Sequence, residues 1–143
     1  MVLVSDKRIQ FNEIVLNFEK DNISESLSGA NSIFVGKMKS TNSHKEKVIS
    51  MNLLSYEAMT EAYLKKLREY SIKKFHLEDL LIAHRIGEVM PGDIIVIISS
   101  WAVNRRNAIE ATSYVIEDLK HKAPFWKKEI LDGSIEKWVE GNT

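Results

Sequence analysis

Two stretches of the chain carry apolar residues at helical spacing. From Glu57 to Phe75, Met59, Ala62, Tyr63, Leu67 and Tyr70 recur every few positions, and Lys, Arg and Glu fill the places between them. That alternation predicts an amphipathic helix. From Arg105 to His121 the stripe is Ala108, Ile109, Thr112, Val115, Ile116 and Leu119, one face of a second helix. Asn104 stands where an N-cap belongs, since its side-chain oxygen can accept from a free N–H of the first turn, and Pro124 follows the far end. A weaker pattern, Ile14, Val15 and Phe18, marks Glu13 to Lys20.

Other segments read as strands. Asp93 to Ser100 contains five β-branched residues in a row, Ile94 to Ile98, which predicts a strand covered on both faces. Ser32 to Lys39, Val48 to Tyr56 and Leu80 to Ile86 are further strands, and Arg8 to Phe11 a short one. Asp21 to Asn31, with its Ser, Asn and Gly, reads as a loop or a short frayed helix. The polar run Ser40 to Lys47 is long for a hairpin turn and is expected to be mobile. Pro91-Gly92-Asp93 marks a turn, and Asp132-Gly133 between Phe125 to Leu131 and Ser134 to Val139 marks a C-terminal hairpin. Helices and strands do not alternate regularly. The expectation is one α+β domain over residues 1–143 with a mainly antiparallel sheet.

Composition narrows the chemistry. The absence of cysteine excludes disulfides, thiolate metal sites and a cysteine nucleophile. Twenty Lys and Arg balance twenty Asp and Glu, so net charge points to no nucleic-acid or membrane partner. No apolar run reaches the ~20 residues of a membrane helix, and the start of the chain has no signal-peptide pattern; a cytoplasmic protein is expected. The six glycines form no phosphate-binding loop, no nucleophile elbow is present, and His44, His76, His84 and His121 lack metal-ligand spacing, so neither metal nor cofactor is assigned. His84 reads as a hydrogen-bonded structural residue.

What remains is a set of cations. Arg105 and Arg106 sit in the first turn of the second helix, where positive side chains oppose the helix dipole but, with free N–H groups, can hold an anion. Lys37 and Lys39 flank Met38 at a strand end, and Lys120, Lys122, Lys127 and Lys128 surround Phe125 and Trp126. Each also has a plain reading as a solvated surface charge. From the residues alone the chain is an α+β domain with a candidate anion site.

The same segments, in order, resemble a known family. The pieces are FVGKMKS (34–40), LLSYEAMTEAYLKKL (53–67), IAHRIGEVMPGDIIVIISS (82–100), NRRNAIEA (104–111), LKHKAPFWKKE (119–129) and WVEG (138–141). They are similar to the large, catalytic (MoaE-type) subunit of molybdopterin synthase from about Phe34 onward. The resemblance implies an α/β hammerhead-type core with two main helices and a homodimer. It also implies a small ubiquitin-like sulfur-carrier subunit (MoaD type) bound at each end as a heterotetramer. The implied reaction moves sulfur from the thiocarboxylated carrier tail to cyclic pyranopterin monophosphate (precursor Z), forming the molybdopterin dithiolene.

The resemblance further implies catalytic roles for Lys120 and Lys127, and substrate contacts from Lys37, Met38, Lys39, Asn104, Arg105, Lys128 and Glu129. Cations of three distant stretches, Arg105, Lys120 and Lys127 among them, are expected to converge on one hollow. Two positions depart from the family's pattern. Asn104 stands in place of the usual His, and Asn cannot carry a proton at neutral pH. Lys39 stands where Arg is frequent, which keeps charge but loses the bidentate fork. A non-catalytic pterin- or carrier-binding homologue is therefore the alternative, and a nucleic-acid-binding domain a weaker third reading.

Overall fold

The computed structural model describes residues 1–139; Glu140 and Gly141 of the WVEG piece lie outside it. Eleven elements follow one another: β1 (Val2–Ser5), α1 (Phe11–Asn22), β2 (Ala30–Lys37), β3 (Val48–Ser55), α2 (Glu57–Lys74), β4 (Asp79–Arg85), β5 (Gly87–Val89), β6 (Ile94–Ala102), α3 (Arg105–Lys122), β7 (Phe125–Leu131) and β8 (Ile135–Trp138). They form two four-stranded sheets, β1-β4-β6-β2 and β5-β3-β7-β8. Every pairing is antiparallel except β1 with β4. The α+β class and the mainly antiparallel sheet are as expected. Among the described residues no helix is long and apolar enough to cross a membrane.

The β-branched run of β6 takes the place its composition predicts. It lies between β4 and β2, and residues 96–102 are buried. Val96 and Ile98 pack toward α2 and α3 with Leu64, Val115 and Leu119. Ile97 and Trp101 pack on the opposite face with Val15 and Phe18 of α1. Trp101 ties the end of β6 to α1: its ring centroid lies 5.2 Å from Phe18, and its indole N–H donates to Glu19 at 2.8 Å. The second sheet has its own smaller core of Met38, Val48, Met51, Leu53, Val89 and Leu131.

Several expectations need correction. Arg8 to Phe11 is not a strand: Phe11 opens α1, and the strand lies earlier, at Val2–Ser5, where it joins the edge of the first sheet beside β4. β5 was not foreseen. Its three residues begin at Gly87, whose φ of 83° is left-handed backbone that glycine adopts at little cost and that turns the chain from the first sheet to the second. The buried face of α2 is Thr60, Leu64, Leu67 and Ser71, whereas Met59 and Tyr70 are exposed. Small side chains let α2 approach the sheet, and the long ones sit at the rim. Ile109 likewise leaves the stripe of α3, and Ala111 replaces it. The run Ser40 to Lys47 is held rather than free: Thr41 bridges Lys47, and the Asn42 carboxamide accepts from the N–H groups of His44 and Glu46.

Candidate functional site

A cleft of about 950 Å³ opens where the two sheets meet. Its walls come from the end of β2, the loop after it, the C-terminal turns of α3, and β7. The bulge between Gly36 and Lys37 breaks the β2–β6 register just where β2 reaches the cleft. Met38 then folds inward, 3% exposed, its N–H donating to Asp93 O and its carbonyl accepting from Gly92, while Lys37 and Lys39 stay exposed at the rim.

Lys120 arrives from the last turn of α3, one turn after buried Ile116, and is half-buried. Lys127 arrives from β7. Strand alternation turns Phe125, Lys127 and Glu129 into the cleft and Trp126 and Lys128 the other way. Lys128 pairs with Glu136 at 2.8 Å and lies over the Trp138 ring, two residues at the β8 edge of the cleft, but is not itself one of the lining residues. Glu129, 9% exposed, accepts from the Asn42 amide at 3.2 Å and thereby ties β7 to the loop. Burial and the neighbouring charge of Lys120 hold the Lys127 ammonium below the usual lysine range, and Glu129 partly opposes them.

The structure therefore brings together Lys37, Met38, Lys39, Lys120, Lys127 and Glu129. It does not bring Asn104 and Arg105 to them. Both sit at the N-terminal end of α3, and Lys120 at its C-terminal end. At about 1.5 Å of rise per residue, Arg105 and Lys120 lie about 22 Å apart along the axis. The expected convergence of Arg105, Lys120 and Lys127 on one hollow does not occur within a single chain. Asn104 caps the helix instead, its side-chain oxygen accepting from Asn107 N–H at 3.0 Å.

Residues not foreseen as site members also line the cleft: Phe34, Asn42, His44, His84 and Phe125. His84 is 3% exposed. Its ring stacks on Phe125 with centroids 3.7 Å apart and planes 13° from parallel, and Nδ1 lies 2.7 Å from Arg85 O. Burial, with the charge of Lys127 adding and the bond to Arg85 opposing, pushes its pKa down to about 4. The only sequence signal for His84 was its place in the HRIG piece; its burial comes from long-range packing. Among the described residues no three His, Asp or Glu side chains gather as a metal-binding cluster.

This arrangement suits an anionic ligand: lysines at the rim for approach, two lysines deeper inside, and one of those with a weakened hold on its proton.

Comparison with known proteins gives the same direction. The chain is 32% identical over 120 residues to the molybdopterin synthase catalytic subunit of Pyrococcus abyssi, covering 84% of this chain and 80% of that protein. It superposes on the crystal structure of molybdopterin synthase from Staphylococcus aureus with a TM-score of 0.83 at 27% identity, covering 97% and 95% of the two chains. The fold also matches the protein-protein complex of subunits 1 and 2 of molybdopterin-converting factor from Helicobacter pylori 26695, with a TM-score of 0.80 at 23% identity and coverage of 97% and 90%. The family model described as MoaE protein matches residues 4–122, the span that builds both sheets up to β7 and carries Lys120, and on that match and the Pyrococcus relative this chain belongs to the MoaE family.

Proposed function

We propose that this chain is the catalytic subunit of a molybdopterin synthase. In this reading it is a sulfurtransferase that moves sulfur from the thiocarboxylated C-terminus of a small carrier subunit to cyclic pyranopterin monophosphate, building the dithiolene of molybdopterin. The observation that carries the reading is the pairing of Lys120 and Lys127 in one partly buried cleft, reached from α3 and β7. The thiocarboxylate sulfur bonds to a substrate carbon as an oxygen leaves that carbon; water then adds at the carbonyl carbon, the acyl–sulfur bond breaks, and the carrier departs as its carboxylate with the sulfur left on the pterin. The oxyanion formed when water adds needs a positive group beside it. Lys120 takes that role. Lys127, with its proton held loosely, takes the second: orienting the substrate and giving a proton to a departing oxygen. Lys37 and Lys39 draw in the substrate phosphate and the anionic tail. The Helicobacter pylori complex supports a second, small subunit as partner.

Arg105 finds a place in this reading only if a second copy of the chain is present. A homodimer that sets the N-terminal end of one α3 beside the other copy's cleft delivers Arg105 to the substrate without requiring one helix end to reach the other. With a carrier at each cleft, the assembly is a heterotetramer. The non-catalytic alternative rested on Asn104; within its own chain Asn104 is the helix cap, away from Lys120 and Lys127, and in the homodimer it would reach the other copy's cleft beside Arg105, so turnover by the unaltered protein decides whether its departure from His matters.

The test is reconstitution with thiocarboxylated carrier and precursor Z. Lys120→Ala should lower turnover by about 10²- to 10³-fold, the size typical of losing an oxyanion-stabilising group, while the thermal midpoint moves by no more than about 2–3 °C. Near-normal conversion by Lys120→Ala would remove the assignment, and failure of the unaltered protein to convert the precursor at all would remove the whole reading.

A further inference from the structure

The cleft's acceptors lie mostly at its rim: Thr41, Ser43 and His44 are exposed on the loop after β2, and exposed Glu136 is paired with Lys128. Lys37, Lys39, Lys120 and Lys127 can only donate when charged. Glu129 can accept, but one of its oxygens is engaged by Asn42. His84 is a buried polar side chain of the lining, and its geometry fixes what it offers. Its Nδ1 faces the Arg85 carbonyl at 2.7 Å. A carbonyl oxygen only accepts, so Nδ1 carries the hydrogen, and in the neutral ring Nε2 is left with its lone pair. Among the described residues no protein group bonds Nε2, and Nε2 is not one of the sealed, unpartnered atoms of the core. The ring cannot turn away, because it is stacked on Phe125 and 97% of its surface is covered.

We propose that His84 is a ligand-binding residue, presenting a fixed neutral acceptor at Nε2 to an N–H donor on the ring system that occupies the cleft. The inference rests on the reading above, in which that ring system is a pterin, a heterocycle with several N–H donors. A ligand with a phosphate at one end and ring N–H groups at the other needs cations at the rim and an acceptor inside, and the cleft provides both. Burial chiefly keeps the acceptor in its useful state, and the charge of Lys127 adds to it; Lys127 from β7 and Lys120 from α3 line the same cleft as His84.

Two measurements test this. The first leaves the protein unaltered: ¹⁵N-labelled histidine spectra near pH 7, with and without precursor Z. We expect His84 Nδ1 to be protonated and Nε2 to give the resonance of an unprotonated ring nitrogen that shifts when the precursor binds. A protonated Nε2 in the free protein, or an Nε2 signal indifferent to a precursor bound at saturation, overturns the proposal. The second is His84→Phe, which keeps a ring to stack on Phe125 but has no acceptor. We expect KM for the precursor to rise about 10-fold, the worth of one neutral hydrogen bond, with His84→Gln recovering part of it. An unchanged KM in a folded His84→Phe protein overturns the proposal while the sulfur-transfer reading stands. An unaltered protein that neither binds nor converts the precursor removes that reading and this inference with it.

Discussion

In the proposed reading, Lys127 is the residue at which function and stability pull apart. Its ammonium is held below the ordinary lysine value chiefly by burial, so the folded state binds that proton less tightly than the unfolded chain does. The sign follows: between its lowered folded value and about 10.5 the unfolded state carries more protons, so stability rises with pH across that window and is reduced below it. At neutral pH the buried charge therefore costs stability. Lys127→Met should melt no lower than the unaltered protein, and up to about 3 °C higher, while sulfur transfer is lost. A clear drop in melting temperature would mean that Lys127 is there for packing. His84 gives a second pH dependence. It is neutral when folded and its pKa lies at about 4, against 6.5 in an open chain. Stability is complete above about pH 6.5 and falls as the pH drops toward 4, by about 3 kcal/mol from this one group. Denaturant titrations at pH 7 and pH 4.5 should show this loss, and His84→Phe should reduce it.

The lysines were legible in the sequence because a cation next to Pro124, Phe125 and Trp126 stands out against a neutral overall charge. Their state was not, since burial at the base of a cleft depends on which strand lies beside β7. His84 was illegible for the same reason. Its tautomer is set by Arg85, one residue away, but its stacking partner Phe125 is distant in sequence.

At the level of elements, periodicity succeeded where one face is large and uniform and failed where the contact uses small polar residues. β6 and α3 were readable from their own residues, apart from the exchange of Ile109 for Ala111. In α2, Thr60 and Ser71 face the core while Met59 and Tyr70 face out, so hydrophobicity alone turned the stripe to the wrong side. Tyr63 shows why an intermediate position is stable there: its hydroxyl donates to Asp118 of α3, which leaves the apolar part of the ring against the core. β1 and β5 are short, and a strand of three or four residues is fixed by its neighbour rather than by its own pattern. The cap of α3 was correctly placed, and it carries a prediction. Asn104→Ala removes the acceptor for Asn107 N–H and should cost about 1 kcal/mol in chemical denaturation. Asn104→Asp should cost little or nothing, because a carboxylate accepts the same bond and suits the helix dipole. Equal losses in both variants would show that the cap bond is not what the side chain contributes.

For the whole molecule, the separation of Arg105 from Lys120 is the fact to account for. An 18-residue helix puts its two ends at opposite sides of the domain, and only one end borders the cleft. Arg105 at the start of α3, beside exposed Val103 and Ile109, is thus either a solvated charge or a contribution to another copy's cleft. Complementation decides between these. Arg105→Ala and Lys120→Ala are assayed alone and then co-expressed so that any dimers that form include mixed ones. If Arg105 acts across the interface, a mixed dimer has one cleft with Lys120 from its own chain and Arg105 from the other, and one cleft lacking both. Random pairing makes half of the dimers mixed, so about a quarter of the unaltered activity should return. If Arg105 serves only its own chain, every cleft lacks one residue or the other and nothing returns. If it is merely solvated, Arg105→Ala is active by itself. A return of activity at the expected fraction would place the pocket between two copies of a chain that holds most, but not all, of its own machinery.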